Sequence, residues 1–135
     1  MSEAQKTLRE KYYPTDFSQV FLPERIRELI EKNKDRKGYK LLFYGPAGTG
    51  KSTTARLMTP RGKYEVLSLS GSNNFTVDTV NTKIAPFITS HAHILGKQKV
   101  IIVDECERMS SQVQDSWKDN IDKAKNINII FITNH

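Results

Sequence analysis

The chain has 135 residues, enough to bury a real core as one domain and too few for a large multidomain assembly. Its 21 lysines and arginines against 15 acids leave a formal charge of +6, a surplus that suits nucleic acid or another anionic partner without requiring one. One cysteine excludes an internal disulfide framework and suits a reducing compartment. No apolar run approaches the roughly 20 residues of a membrane span, so neither a leader nor a membrane segment is expected and the reading is cytoplasmic.

Residues 1–10 are polar and charged, with Leu8 the one large apolar side chain, and read as a flexible arm ahead of a domain over 11–135. Lys11-Tyr12-Tyr13-Pro14-Thr15-Asp16-Phe17 sets aromatics beside a proline, which favours an extended segment over a helix. Such aromatics suit covering a planar base or plugging the edge of a core equally well. Pro23 fits the first turn of a helix, Ile26, Leu29 and Ile30 give that helix an apolar face, and Gly38 suits its end. Tyr39-Lys40-Leu41-Leu42-Phe43-Tyr44 then reads as a buried strand.

Gly45-Pro46-Ala47-Gly48-Thr49-Gly50-Lys51-Ser52 matches the phosphate-binding pattern G-x-x-x-x-G-K-[ST], with a strand before it and a helix over Ser52–Met58 after it. Glycines let backbone N–H groups curl round a phosphate that rests on a helix N-terminus, where unpaired donors and the dipole favour negative charge. Gly45, Pro46, Ala47, Gly48, Thr49, Gly50, Lys51, Ser52 and Thr53 are therefore the candidate nucleotide-binding set. Lys51 reaches the β and γ phosphates in this reading, and the Ser52 hydroxyl is a magnesium ligand. The expected ligand is a nucleoside triphosphate with Mg2+.

Pro60 and Gly62 stop that helix, and Tyr64–Leu69 alternates like a second strand, with Ser70-Gly71-Ser72-Asn73-Asn74 as its turn. From Thr76, the residues Val77, Val80, Ile84, Phe87 and Ile88 make a helical stripe that Pro86 kinks or ends. His91 and His93 lack further ligands nearby and read as a solvated loop rather than a metal site. Val100-Ile101-Ile102-Val103, preceded by Lys97 and Lys99, is a β-branched run typical of a parallel strand covered on both faces. Ser110 and Ser111 look like caps of a helix that buries Val113, Trp117 and Ile121, and Ile127–Thr133 is another buried strand. Strand and helix alternate from Tyr39 onward, which predicts an α/β sandwich with a mostly parallel sheet.

The run Val100–Val103 ends in Asp104 and Glu105, and a parallel sheet puts such strand ends beside the phosphate loop. Asp104 is the expected magnesium ligand with Ser52, and Glu105 is expected to orient or deprotonate the attacking water. Asn134, at the corresponding end of the last strand, suits a hydrogen bond to the γ phosphate or the water. Lys51, Glu105 and Asn134 are thus the candidate catalytic residues. Cys106 has no base or second thiol in sequence reach and reads as a packing residue.

Together these segments resemble the AAA+ ATPases, and among them the small subunit of DNA sliding-clamp loaders of the replication factor C type, from Lys11 to His135. The specific pieces are Lys11-Tyr12-Tyr13-Pro14, similar to the family's K-Y-R-P box, and Leu69-Ser70-Gly71-Ser72-Asn73-Asn74 leading to Val77-Asp78 and Lys83-Ile84, similar to its L-N-A-S-D-E-R-G-I-D…K-I segment. Phe21-Leu22-Pro23, where cellular relatives carry V-G, looks more like the tailed-phage version and implies a phage protein in a bacterial host cytoplasm. The resemblance implies that Tyr12 and Pro14, with the backbone near Val20 and Phe21, cradle adenine, and that Lys51, Ser52, Asp104, Glu105 and Asn134 carry the Walker and sensor-one duties. Gln114 falls where clamp loaders have a glutamine, whereas the family's arginine pair on that helix is replaced by Lys118 and Asp119, and the box arginine by Tyr13. Two family arginines become Phe75 and Asn81, leaving Thr76, Asn81 and Lys83 as candidate DNA contacts.

The resemblance further implies an AAA+ P-loop NTPase three-layer sandwich with strand order 5-1-4-3-2, of which the sequence supplies strands one to four. Strand five, the lid, the collar, the arginine finger and sensor two are not in it. An incomplete subunit is expected, truncated or completed by a second chain, that works in a hetero-pentamer with a sliding clamp and primer-template DNA. The alternatives are a Holliday-junction branch-migration motor, which would lack both specific pieces, and a nucleotide-binding assembly module without turnover. Without strand five, Tyr39–Tyr44 becomes an exposed apolar edge.

Overall fold

The computed structural model of the chain describes residues 22–72, 75–90 and 96–134. The N-terminal arm, Tyr12, Tyr13, Pro14, Val20 and Phe21, the Asn73-Asn74 part of the turn, and His91 and His93 lie outside the described residues. The described elements are α1 (Glu24–Asn33), β1 (Lys40–Tyr44), α2 (Lys51–Met58), β2 (Tyr64–Ser70), α3 (Val77–Thr79), a π-helical turn (Val80–Ile84), α4 (Ala85–Thr89), β3 (Gln98–Asp104), a 3-10 turn (Cys106–Arg108), α5 (Ser111–Lys123) and β4 (Asn128–Thr133).

The four strands form one sheet in the order β1-β4-β3-β2. Every pairing is parallel, with Leu41 opposite Ile130, Ile101 opposite Ile129, and Leu67 opposite Ile101. The continuous β-branched runs follow from this, because alternate residues of β3 and β4 enter two separate cores. On one face Ile101, Val103 and Ile129 pack with Val80, Ile84, Val113 and Trp117. On the other, Val100, Ile102, Ile130 and Ile132 pack with Ile30 of α1 and with Ala55 and Met58 of α2. Phe75 fills the first core, its ring 6.4 Å from that of Trp117, which accounts for an aromatic residue there as packing.

Two sequence expectations are corrected. Gly38 does not end α1, which stops at Asn33; it turns the chain into β1 with φ 80°, where a Cβ would lie 2.0 Å from the Lys125 carbonyl oxygen. Pro86 does not end its helix: it follows the π turn over Val80–Ile84, sits in the first turn of α4, where a missing N–H is tolerated, and α4 runs on to Thr89. The apolar face of α1 is only partly covered: Ile30 is buried, but Ile26 and Leu29 remain 38% and 46% exposed. They border a groove of about 610 Å³ that continues along β1 to Thr49 and Lys51. Among the described residues β1 pairs with β4 alone, and Leu42 and Tyr44 are 57% and 74% exposed, while Tyr39 is buried, so the expected apolar edge is open at those two positions.

Burial ranks the two sheet positions that a stability test compares. Ile129→Ala, at a site with no exposure, is expected to cost about 2–5 kcal/mol in urea unfolding, whereas Leu42→Ala at the open edge is expected to stay within about 0.5 kcal/mol.

Candidate nucleotide-binding site

Parallel pairing carries the ends of β1, β4 and β3 to the same edge of the sheet, and the glycine-rich loop leaves β1 at that edge. Gly50 closes the loop as the residue before α2, at φ 80° and ψ 16°, a left-handed conformation that a side chain disfavours. Gly45 and Gly48 also have positive φ, so the loop turns without strain while Pro46, Ala47, Gly48 and Thr49 stay exposed. Lys51 folds back over it. Its ammonium group donates to the Gly45 and Pro46 carbonyls at 2.8 and 2.7 Å and to the Thr49 hydroxyl at 3.2 Å. Ser52 and Thr53 follow in the first turn of α2, both partly buried.

The loop is tied directly to the end of β3. The Ser52 hydroxyl donates to Asp104 Oδ2 at 2.8 Å, and Asp104 Oδ1 accepts the Glu105 backbone N–H at 2.8 Å, so each carboxylate oxygen has a defined partner. A hydroxyl and a carboxylate oxygen this close are hard ligands suited to a magnesium ion that keeps its other positions for water and phosphate oxygens. The residues present therefore fit the cofactor.

Glu105 is the one non-glycine residue at positive φ among the described residues, at 51°. A left-handed non-glycine conformation costs on the order of 1–3 kcal/mol and persists where surrounding structure fixes it. Here the fixing groups are on β2 and the turn after it. Gly71 donates its N–H to the Asp104 carbonyl at 2.9 Å, and a Cβ on Gly71 would sit 2.3 Å from the Glu105 carbonyl oxygen. Ser70 donates to Glu105 Oε2 at 3.2 Å, and the Ser72 hydroxyl lies 2.8 Å from that of Ser70. Hydrogen bonds from Ser72, then from Ser70, hold the Glu105 carboxyl below the usual carboxylate range. Ser70 and Ser72 read only as turn residues in sequence; the signal that could have found them is the register that sets Ser70 opposite Asp104.

Asn134 lies one residue beyond β4, exposed, and β4 is the strand between β1 and β3. Cys106 packs against the first core, and burial, followed by the nearby Glu107 charge, pushes its thiol pKa up, as expected of a packing residue. Thr76 caps α3, accepting from the Thr79 N–H at 3.3 Å, while Asn81 and Lys83 are exposed in the π turn. Two residues apart, Asn81 and Lys83 do not share a helix face. Gln114 donates its amide to the Met109 carbonyl at 3.0 Å, and Lys118 makes an exposed ion pair with Asp115.

Fold and site together define an α/β P-loop fold. The chain belongs to the ATPase family associated with various cellular activities (AAA), whose pattern matches residues 41–135. It is 30% identical to replication factor C subunit 5 of Arabidopsis thaliana over 93% of this chain and 37% of that protein. A putative replication factor C small subunit of Acanthamoeba polyphaga mimivirus is 32% identical over 84% of this chain and 37% of its own length. The chain thus spans well under half of the curated relatives it matches. Among solved structures, a RuvB variant from Thermotoga maritima superposes with a TM-score of 0.69 at 16% identity, over 90% of this chain and 41% of that one. A DNA polymerase III gamma subunit-related protein of the same organism gives 0.60 at 22%, over 82% and 38%. At these identities the structural likeness speaks for the fold alone.

The polarity of the Glu105 shift gives a test. A depressed carboxylate pKa means that contacts to Ser72 and Ser70 hold at neutral pH and are lost as the pH falls through that lowered pKa. Ser72→Ala should therefore raise the Glu105 pKa toward the ordinary glutamate value in a carbon-detected NMR titration, with Ser70→Ala acting in the same direction.

Proposed function

We propose that this chain is the ATP-binding and ATP-hydrolysing portion of a DNA sliding-clamp loader subunit. The observation that carries the reading is the 2.8 Å contact between Ser52 and Asp104, which joins the phosphate loop to the acid that ends β3. Similarity to replication factor C subunits over most of this chain supports the clamp-loader assignment over other AAA machines; the fold likeness to RuvB does not distinguish between them.

In this reading the backbone N–H groups of Gly45 to Ser52, with Thr53, cradle the phosphates, and the Lys51 ammonium exchanges the Gly45 and Pro46 carbonyls for phosphate oxygens. Magnesium held by Ser52 and Asp104 would neutralise developing charge on the triphosphate. Glu105, kept ionised by Ser72 and Ser70, orients the attacking water and accepts its proton, and Asn134 hydrogen-bonds the water or the terminal phosphate. Tyr12, Pro14 and Val20 are assigned to adenine by resemblance to the family's box. Thr76, Asn81 and Lys83 are assigned to DNA phosphates, Thr76 through the exposed N-terminus of α3.

The partners of this reading are the other subunits of a hetero-pentamer, the ring clamp and primer-template DNA. A phage-encoded subunit acting in the host cytoplasm belongs to the same reading, on Phe21-Leu22-Pro23. Residues acting in trans on ATP, such as an arginine finger, contribute about 10³–10⁵ in turnover in related nucleotidases, so this chain alone should be nearly silent.

Calorimetry tests the site. Magnesium-dependent ATP binding is expected, with Lys51→Ala weakening it at least tenfold; unchanged binding in that variant would contradict the assignment. Glu105→Gln should keep ATP affinity while lowering turnover of the assembled complex by about 10²–10⁴.

A further inference from the structure

The parallel sheet has a second edge, opposite the phosphate loop, where every strand begins. Four segments enter it, over 34–40, 61–63, 97–99 and 123–125, and they carry ten lysines and arginines against the single acid Asp35. The whole chain has a charge of +6, so the remainder of the molecule is net acidic and the basic surplus is confined to this rim.

Hydrogen bonds knit the four segments together. Lys97 donates to the Arg61 carbonyl at 2.7 Å, and Gln98 donates its N–H to the Lys63 carbonyl at 3.1 Å. Lys40 donates to the Ala124 and Ile127 carbonyls at 2.7 and 2.8 Å, and the Tyr64 hydroxyl to the Lys34 carbonyl at 2.8 Å. Part of the charge is consumed internally: Lys99 is buried against the Phe87 and Ser90 carbonyls, Lys34 pairs with Glu31, and Arg36 donates to Asn33. Lys37, Arg61, Lys63, Lys123 and Lys125 remain exposed with no ion pair among the described residues, though Asp122 flanks Lys123.

We propose that this rim binds the phosphate backbone of duplex nucleic acid, at the edge of the sheet opposite the nucleotide loop. Among the described residues, the exposed large hydrophobic side chains, Ile26, Leu29, Leu42 and Tyr44, all lie on α1 or β1 and none on the rim. The described part of the rim thus offers the charge that a duplex backbone takes, without the apolar centre of a protein interface or the apolar insertion that holds basic segments on a membrane. Three strand spacings make the rim about 14 Å wide. A duplex carries one charge per about 1.7 Å of axis, so that width faces about eight phosphates, roughly half on the near side. Such contacts are independent of base sequence and strongly salt-dependent, with a log–log slope of about −3 to −4 for four phosphates.

Fluorescence anisotropy of a labelled 20-base-pair duplex with the 135-residue chain, from 50 to 200 mM salt, reads this directly. Lys63→Glu with Lys125→Glu should weaken binding at least tenfold and flatten the salt slope. Lys63→Gln with Lys125→Gln, which adds no repulsion, should act in the same direction by a smaller factor. Arg108→Glu with Lys118→Glu makes the same change in net charge elsewhere and should leave binding within about twofold. Magnesium-dependent ATP binding, measured in parallel, should be unaffected by the rim variants, so the rim and the nucleotide site are tested separately. The proposal is overturned by duplex binding that both rim variants retain, by an equal loss in the Arg108 and Lys118 variant, or by tighter binding to phosphatidylserine vesicles than to duplex.

Discussion

Parallel alignment of β1, β4, β3 and β2 is the constraint from which the rest of the molecule follows. It requires helices on both faces, and so divides the apolar residues of β3 and β4 between two cores. It also sorts chemistry by edge. Strand ends gather the phosphate loop, Asp104, Glu105 and Asn134 on one side, while strand beginnings gather the lysines and arginines of four separate loops on the other. The first grouping was legible in the sequence through the expected parallel sheet; the second was not, because its lysines and arginines lie on four separate loops.

At the strand-end edge, local conformations are subordinate to a few close contacts. Ser52 binds Asp104, Asp104 binds the Glu105 backbone, and Gly71 packs against the Glu105 carbonyl. Glu105 is thereby held in a left-handed conformation that its side chain would not choose. The glutamate, its strain and the two serines below it form one unit, so a change at Gly71 or Ser72 acts on Glu105 without touching a ligand.

Much of this was legible in the sequence where one physical signal dominated. The β-branched runs over Val100–Val103 and Ile127–Thr133 marked fully covered strands, and the loop pattern over Gly45–Ser52 carried its own flanking strand and helix. The spacing of Val113 and Trp117 placed α5 against the core. Legibility ended where tertiary contacts overrode local preference. Pro86 suits a helix end, yet it falls in the first turn of α4, which runs on to Thr89; Gly38 resembles a helix stop, yet close approach of the Lys125 carbonyl is what requires it. Ile26 and Leu29 form an apolar stripe with only part of a surface to cover it, which periodicity cannot report. The serines that hold Glu105 required knowledge of strand register.

The central claim is that Gly45–Ser52 and Asp104 form one magnesium-dependent phosphate site. Amide NMR of the chain titrated with ATP, once with magnesium and once with a chelator, tests it most directly. The expected result is large shifts at Gly48, Gly50, Lys51 and Ser52, with those at Asp104 and Glu105 appearing only when magnesium is present. Shifts that leave the loop untouched, or that are the same in magnesium and chelator, would contradict it.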